Sequence, residues 1–223
     1  MLAPIIQFIQ YIHYYLTAAN KKGHGIHSPF VFNMVHEVLL DDRIFYFFEE
    51  IKYLSFFENE SQKKSKKYNQ LLFKCIHYYK PTSVTIITGN SLLEACYIAA
   101  ANTKTTIHFT QKKSLAELPE ILKNRVKIIH DKDAVVEDQT NWYFTDFDHV
   151  NDGIVSNIQS IIATNNPTIC VVIKNPHHSK VARHFYQQLQ QSIYIKLSID
   201  LFGIAFLFCR KEHFQKEHFS IQY

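Results

Sequence analysis

From Tyr68 onward, short β-branched or aromatic runs alternate with amphipathic stretches of 9 to 12 residues. Helix period and strand period therefore succeed one another along most of the chain. The spacing predicts helices over Tyr68–Tyr79, Ser91–Ala101, Leu115–Lys123, Ile154–Ala163 and Lys180–Gln191. Between them fall strands at Val84–Thr88, Thr106–Thr110, Val126–Ile129, Trp142–Asp146 and Thr168–Lys174, with a further short helix near Asp133. Such alternation implies a parallel sheet covered by helices on both faces. The chain closes differently. Tyr194–Asp200 and Ile204–Cys209 are strand-like, and the three residues Leu201-Phe-Gly203 are too few for a helical crossover, so these two runs must pair antiparallel. Phe219–Gln222 offers a last short edge strand.

The first quarter of the chain reads differently again. Pro4–Ala19, Phe30–Leu40 and Ile44–Phe57 carry apolar residues densely enough for three buried helices. Ser28-Pro29 marks the start of the second, serine as cap and proline as first helical residue. The run Glu58-Asn-Glu-Ser-Gln-Lys-Lys-Ser-Lys-Lys67 holds no residue able to join a core and reads as a linker. The expected organisation is a helical cap over residues 1–58, a polar linker over 59–67 and an α/β unit over 68–223, forming one compact body.

Composition narrows the function classes. With 223 residues, 47% of them apolar and 20% charged, the chain is too hydrophobic for disorder and long enough for a sizeable core. The excess of 24 Lys+Arg over 20 Asp+Glu is modest, so no nucleic-acid partner is expected. The basic run Lys63-Lys-Ser-Lys-Lys67 lacks interleaved aromatics and reads as a solvated segment. Cys75, Cys96, Cys170 and Cys209 form no CxxC pair and sit in apolar contexts, as small core residues do. The apolar N-terminus is interrupted by Gln7, Gln10 and His13 and lacks the basic front of a signal peptide, so a cytoplasmic protein without a membrane span is expected.

Four motifs carry a family resemblance. Lys22-Gly-His-Gly-Ile-His-Ser-Pro-Phe-Val-Phe32 is followed by Phe48-Glu-Glu-Ile51. The C-terminus holds Ile199-Asp-Leu-Phe-Gly-Ile-Ala-Phe-Leu-Phe-Cys-Arg-Lys-Glu212 and Glu217-His-Phe-Ser-Ile-Gln-Tyr223. Together they resemble a bacterial family of class I S-adenosylmethionine-dependent methyltransferases. The resemblance implies a Rossmann-like class I sheet of five parallel strands plus a C-terminal antiparallel hairpin, with an N-terminal helical cap. It also implies S-adenosylmethionine as cofactor and methyl transfer to an oxygen or nitrogen of a small acceptor. By that resemblance Gly89, Asn90 and Ser91 would hold the methionine end of the cofactor and Gln111 its ribose. Asp146 would face the reacting region, with His149 or His177 as base.

The middle of the chain departs from the family pattern. Where active members carry an acidic residue and the turn E-x-G-x-x-x-G, this chain has Ile86-Ile-Thr-Gly-Asn-Ser-Leu-Leu-Glu94. Ile87 replaces the acid and Leu93 the second glycine, so a branched side chain stands where backbone approaches cofactor. Gln111 stands for the ribose-binding carboxylate and retains part of its bonding capacity. Lys174-Asn175 replaces two aspartates at the end of the fifth strand, and an ammonium cannot be a metal ligand. Relatives also carry a longer glycine-containing segment where this chain has only residues 59–67. These departures predict a degenerate member with weak or no cofactor binding and no metal; the alternative is an active small-molecule O- or N-methyltransferase. Lys174 is expected beside Asp146 or Asp148, in the space of a divalent cation.

Other signals have simpler readings. His24 and His27 would be substrate-facing in one reading and part of a structural loop in the other, which capping by Ser-Pro favours. His149, His177 and His178 share the carboxyl edge, yet adjacent imidazoles usually diverge, so no metal site is assigned to them. Phe45-Tyr-Phe-Phe48 has the spacing of a core-facing helix.

Overall fold

The computed structural model describes residues 2–18, 26–51, 61–87, 92–110, 126–128, 141–211 and 215–223. Its centre is an eight-stranded sheet in the order β3-β2-β1-β4-β5-β7-β6-β8. The strands are β1 Ser83–Ile86, β2 Thr106–Phe109, β3 Val126–Ile128, β4 Asn141–Asp146 and β5 Cys170–Lys174. They continue with β6 Leu197–Asp200, β7 Ile204–Phe208 and β8 Glu217–Ser220. Strands β1 to β5 are mutually parallel, and β7 pairs antiparallel with both β5 and β6. The expected sheet and its closing hairpin are therefore present. The last run also joins: β8 lies at the edge, parallel to β6, with Leu197 opposite Glu217 and Asp200 opposite Ser220.

The period of two in these strands divides the interior into two cores. Trp142, Phe144, Cys170, Val172, Phe206 and Phe208 face one side. Their neighbours Tyr143, Val171, Ile173, Ala205 and Leu207 face the other. Helices α4 Ser61–Tyr79 and α5 Leu92–Ala101 cover the first face; α6 Asp152–Ala163 and α7 Lys180–Gln191 cover the second. A parallel sheet buried on both faces needs such apolar strands, and β4, β5 and β7 supply them. All four cysteines are buried, free thiols.

The N-terminal segments are α1 Leu2–Thr17, α2 Pro29–Met34, which runs on as a π-helical turn Val35–Leu39, and α3 Phe47–Glu50. Val31, Met34, Val35, Val38, Leu39, Phe48 and Ile51 belong to the same core as β1 and α5. Phe45 and Phe48 pack against Phe73 of α4, as the core reading of that aromatic run expects.

Two local expectations are corrected. Pro29 does start α2, but the hydroxyl of Ser28 makes no capping bond; Ser28 is buried with its backbone carbonyl accepting from Phe32 N–H. Residues 61–67 are not a linker but the first turns of α4, a helix of 19 residues. Lysine, glutamine and serine are tolerated in a solvated helix, and the apolar half from Leu71 to Ile76, anchored in the core, provides the nucleus from which these turns extend. The helices expected at Leu115–Lys123 and near Asp133, and residues 52–57 of the third N-terminal helix, lie outside the described residues.

Candidate functional site

Open α/β sheets place ligands at the carboxyl ends of their strands. Here β4 ends in Asp146 and β5 in Lys174, and the two are paired in register. Above them α5 contributes Glu94, buried although α5 is otherwise apolar. The lysine Nζ lies 2.5 Å from Glu94 Oε1 and 3.4 Å from Asp146 Oδ2. The other oxygen of Asp146 accepts from Asn175 Nδ2 and from the Asp148 backbone N–H, both at 3.0 Å. Asn175 reaches that position from a left-handed backbone, φ 57°, which asparagine tolerates better than most residues. The result is a closed set in which one ammonium and one amide engage two carboxylates.

Burial opposes the charge of Lys174, but the neighbouring Glu94 and Asp146 carboxylates outweigh it and hold the lysine pKa above its ordinary 10.5. Below 10.5 the lysine is protonated in both folded and unfolded chains, so the stabilisation is fully present. As pH rises further, the unfolded chain releases its proton first, and the contribution disappears once the folded lysine titrates. Denaturant midpoints measured from about pH 9 to 12 should fall more steeply for the wild type than for Lys174→Met/Glu94→Gln. Equal slopes would show that the ammonium contributes nothing.

A second cluster lies beyond β5. His177 Nε2 is 2.7 Å from Asp200 Oδ2 at the end of β6, and its ring stacks on Phe202 at 5.2 Å. The other oxygen of Asp200 accepts from Phe202 N–H at 2.8 Å, and Phe202 takes φ 67° to turn the hairpin. Tyr186 meets the imidazole edge-on. From α1, the Tyr14 hydroxyl donates to the backbone carbonyls of Asp200 and Ile221, at 2.6 and 2.7 Å. Burial, and then the charge of Asp200, push the Tyr14 phenol well above its ordinary value. The contact with Asp200 and the stacking on Phe202 fix the orientation of the imidazole ring.

Asp146 and His177, expected to share the reacting region, engage different sets of partners. Asp146 joins Lys174, Glu94 and Asn175, whereas His177 joins Asp200, Phe202, Tyr186 and Tyr14. His178 turns the other way, with Nδ1 3.5 Å from Asp148 Oδ1, as adjacent histidines were expected to do. The side chain of His149 and all of Gly89, Asn90, Ser91, Gln111 and His24 lie outside the described residues. His27 is exposed. Among the described residues no three His, Cys, Asp or Glu side chains converge on a metal-sized site.

At the first strand end, Ile87 is buried in the core beneath α6 and α7, where an acidic side chain would lack a partner among its apolar neighbours. Its carbonyl accepts from Thr110 Oγ1 at 3.1 Å, tying the ends of β1 and β2 together. Leu93 packs half-buried against the core on the α5 side. Sequence reasoning missed Glu94 and Asp200. Each carried a signal: Glu94 is the lone charge of an apolar helix, and Asp200 ends an apolar strand immediately before a tight turn.

Comparison with protein-family models and with curated proteins finds no match. Solved structures do share the fold. The SAH-bound Podospora anserina methyltransferase PaMTH1 is similar with a TM-score of 0.55 at 15% identity, over 74% of this chain and 88% of that one. Cofactor-bound Rv0187 from MTB is similar with a TM-score of 0.50 at 14% identity, over 85% of this chain and 94% of that one. With the strand order and the hairpin, these likenesses establish the Rossmann-like class I methyltransferase fold.

Proposed function

We propose that this chain is a methyltransferase-fold protein whose strand-end site is closed by its own lysine, with weak or no affinity for S-adenosylmethionine and no use for a divalent metal. The observation that carries the reading is the Lys174 ammonium held between Glu94 and Asp146. Carboxylates committed to an internal cation do not serve a magnesium ion, which needs several oxygen ligands. The cofactor fares similarly among the described residues. The buried Ile87 offers no side-chain acceptor at the first strand end, and Thr110 at the second is turned toward the Ile87 carbonyl. Ile87 and Thr110 support weak or no cofactor binding, and we assign no reaction step to the cofactor. On this reading the chain has a binding or scaffolding role on a retained fold.

A second reading, an active O- or N-methyltransferase working without metal, has one observation in its favour: the His177–Asp200 pair supplies an oriented base at the carboxyl edge. Titration calorimetry separates the two. The first reading expects S-adenosylmethionine to bind no tighter than about 1 mM, some 4 kcal/mol. Micromolar binding would overturn it and put the second reading in its place.

A further inference from the structure

The described side chains of helix α1 reach the body of the protein through hydrogen bonds and aromatic contacts rather than through a buried apolar face. From Ile9 to Thr17 none is buried, and only Gln10 and Tyr14 are half-buried. By contrast α6 buries Val155, Ile158, Ile161 and Ile162, and α7 buries Ala182, Tyr186 and Leu189. Gln10 Oε1 accepts from Arg183 of α7, and the Tyr14 hydroxyl bridges the carbonyls of Asp200 and Ile221. The Tyr15 carbonyl accepts from Gln222 Nε2 at 2.7 Å. Tyr11 and Tyr14 rest on Phe202, at 5.1 and 5.2 Å between ring centroids.

We propose that α1 is a releasable strap: it detaches as one unit while the sheet stays folded, and its release opens the His177–Asp200 cluster to solvent and small molecules. The side chains of His177 and Asp200 are only 16% and 9% exposed. Phe202 and Tyr186 cover the imidazole from the hairpin and from α7, and Tyr14 covers it from α1, 6.5 Å away between ring centroids. When α1 leaves, the first two stay and Tyr14 goes. His178, the next residue, lies outside this cover with its side chain 51% exposed.

The way α1 is held sets how it opens. A helix in a folded protein draws most of its stability from a buried apolar face, whereas a hydrogen bond to the body contributes little net, because water replaces it on release. Elements held in this way open at a lower free energy than the core. A helix of this length is marginal once detached, so release and unwinding are one event. A fraying terminus behaves differently, loosening progressively from its free end. Tyr14 and Tyr15 stand in the last turn of α1, farthest from the chain terminus, so the cluster is uncovered only when the whole helix lets go.

Diethyl pyrocarbonate, which modifies accessible imidazoles, tests this on the full chain, with the modified sites located by peptide mass mapping. His178 serves as the internal reference. In the wild type His177 should react at least about tenfold more slowly than His178. Tyr14→Phe, which removes both carbonyl contacts, should raise the His177 rate about tenfold. Gln222→Ala, which removes a contact with α1 outside the cluster, should raise it about threefold, and neither variant should change the rate at His178. In hydrogen exchange the α1 amides should open together, ahead of those of β6 and β7. Equal wild-type rates at His177 and His178 would overturn the proposal, because the cluster would already be open. So would a His177 rate that Gln222→Ala leaves unmoved, since Tyr14→Phe by itself also alters the cluster directly. Exchange graded along α1 from its first turn, or α1 amides that open only with β6 and β7, would overturn it equally.

Discussion

Replacing Lys174 with methionine is expected to cost about 3–5 kcal/mol of stability, the usual consequence of removing one partner from a buried ionic set. Glu94 would be left buried with its charge uncompensated, and Asp146 would keep only Asn175 and the Asp148 N–H of its identified partners from the cluster. Either the carboxylates stay ionised in a poorly solvated site or one takes up a proton; both weaken the fold. The companion variant Lys174→Met/Glu94→Gln removes the uncompensated charge as well, and more than half of the loss should return. Urea midpoints of the three proteins at neutral pH measure this. A single-variant loss below about 1 kcal/mol would mean that the cluster behaves like an exposed ion pair.

The second large effect is expected at Gly203, in the hairpin that joins β6 to β7. A Cβ there would stand 2.2 Å from both Cε2 and Cζ of Tyr68 and 2.6 Å from its hydroxyl oxygen. The backbone has little room to yield, because the Gly203 carbonyl accepts from Asn175 N–H at 2.8 Å and its own N–H donates to Leu201. The Tyr68 ring is backed by Tyr223, 6.3 Å away between centroids. Gly203→Ala should therefore cost about 2–3 kcal/mol, toward the upper end for an overpacked site. Adding Tyr68→Leu, which shortens the obstructing side chain, should recover part of that. Thermal unfolding of Gly203→Ala at the wild-type temperature would show that Tyr68 moves aside freely.

These positions also show which parts of the molecule can be read from one dimension. The run Leu201-Phe-Gly203 is short enough to force an antiparallel hairpin, and β6 and β7 pair as that length requires. Apolar strands alternating with amphipathic helices likewise imply a covered parallel sheet, and Cys170–Lys174 is buried on both faces as that layout requires. Strand spacing and the cost of a buried lone ammonium put Lys174 beside Asp146 or Asp148, and the pair with Asp146 is present at 3.4 Å. Its closer partner was not foreseen: Glu94 is 80 residues away in sequence, and only the packing of α5 over the strand ends brings the two together. Asp200 escaped for the same reason, since its role depends on a histidine from another loop. The polar run over residues 59–67 reads as a linker by composition, yet residues 61–67 are helical, because a helix anchored by its apolar C-terminal half can carry polar first turns.

Lys174 already occupies Asp146, the carboxylate that ends β4, together with Glu94 of α5. Manganese binding tests this occupancy most directly, read from the paramagnetic resonance signal of the free aqueous ion as protein is added at neutral pH. If the account holds, the signal of about 100 μM manganese stays undiminished at equimolar protein, and Asp146→Asn leaves it unchanged. A stoichiometric loss of the free-ion signal in the wild type, abolished by Asp146→Asn, would mean that a cation displaces the ammonium and that the closed cluster is not the resting arrangement of this site.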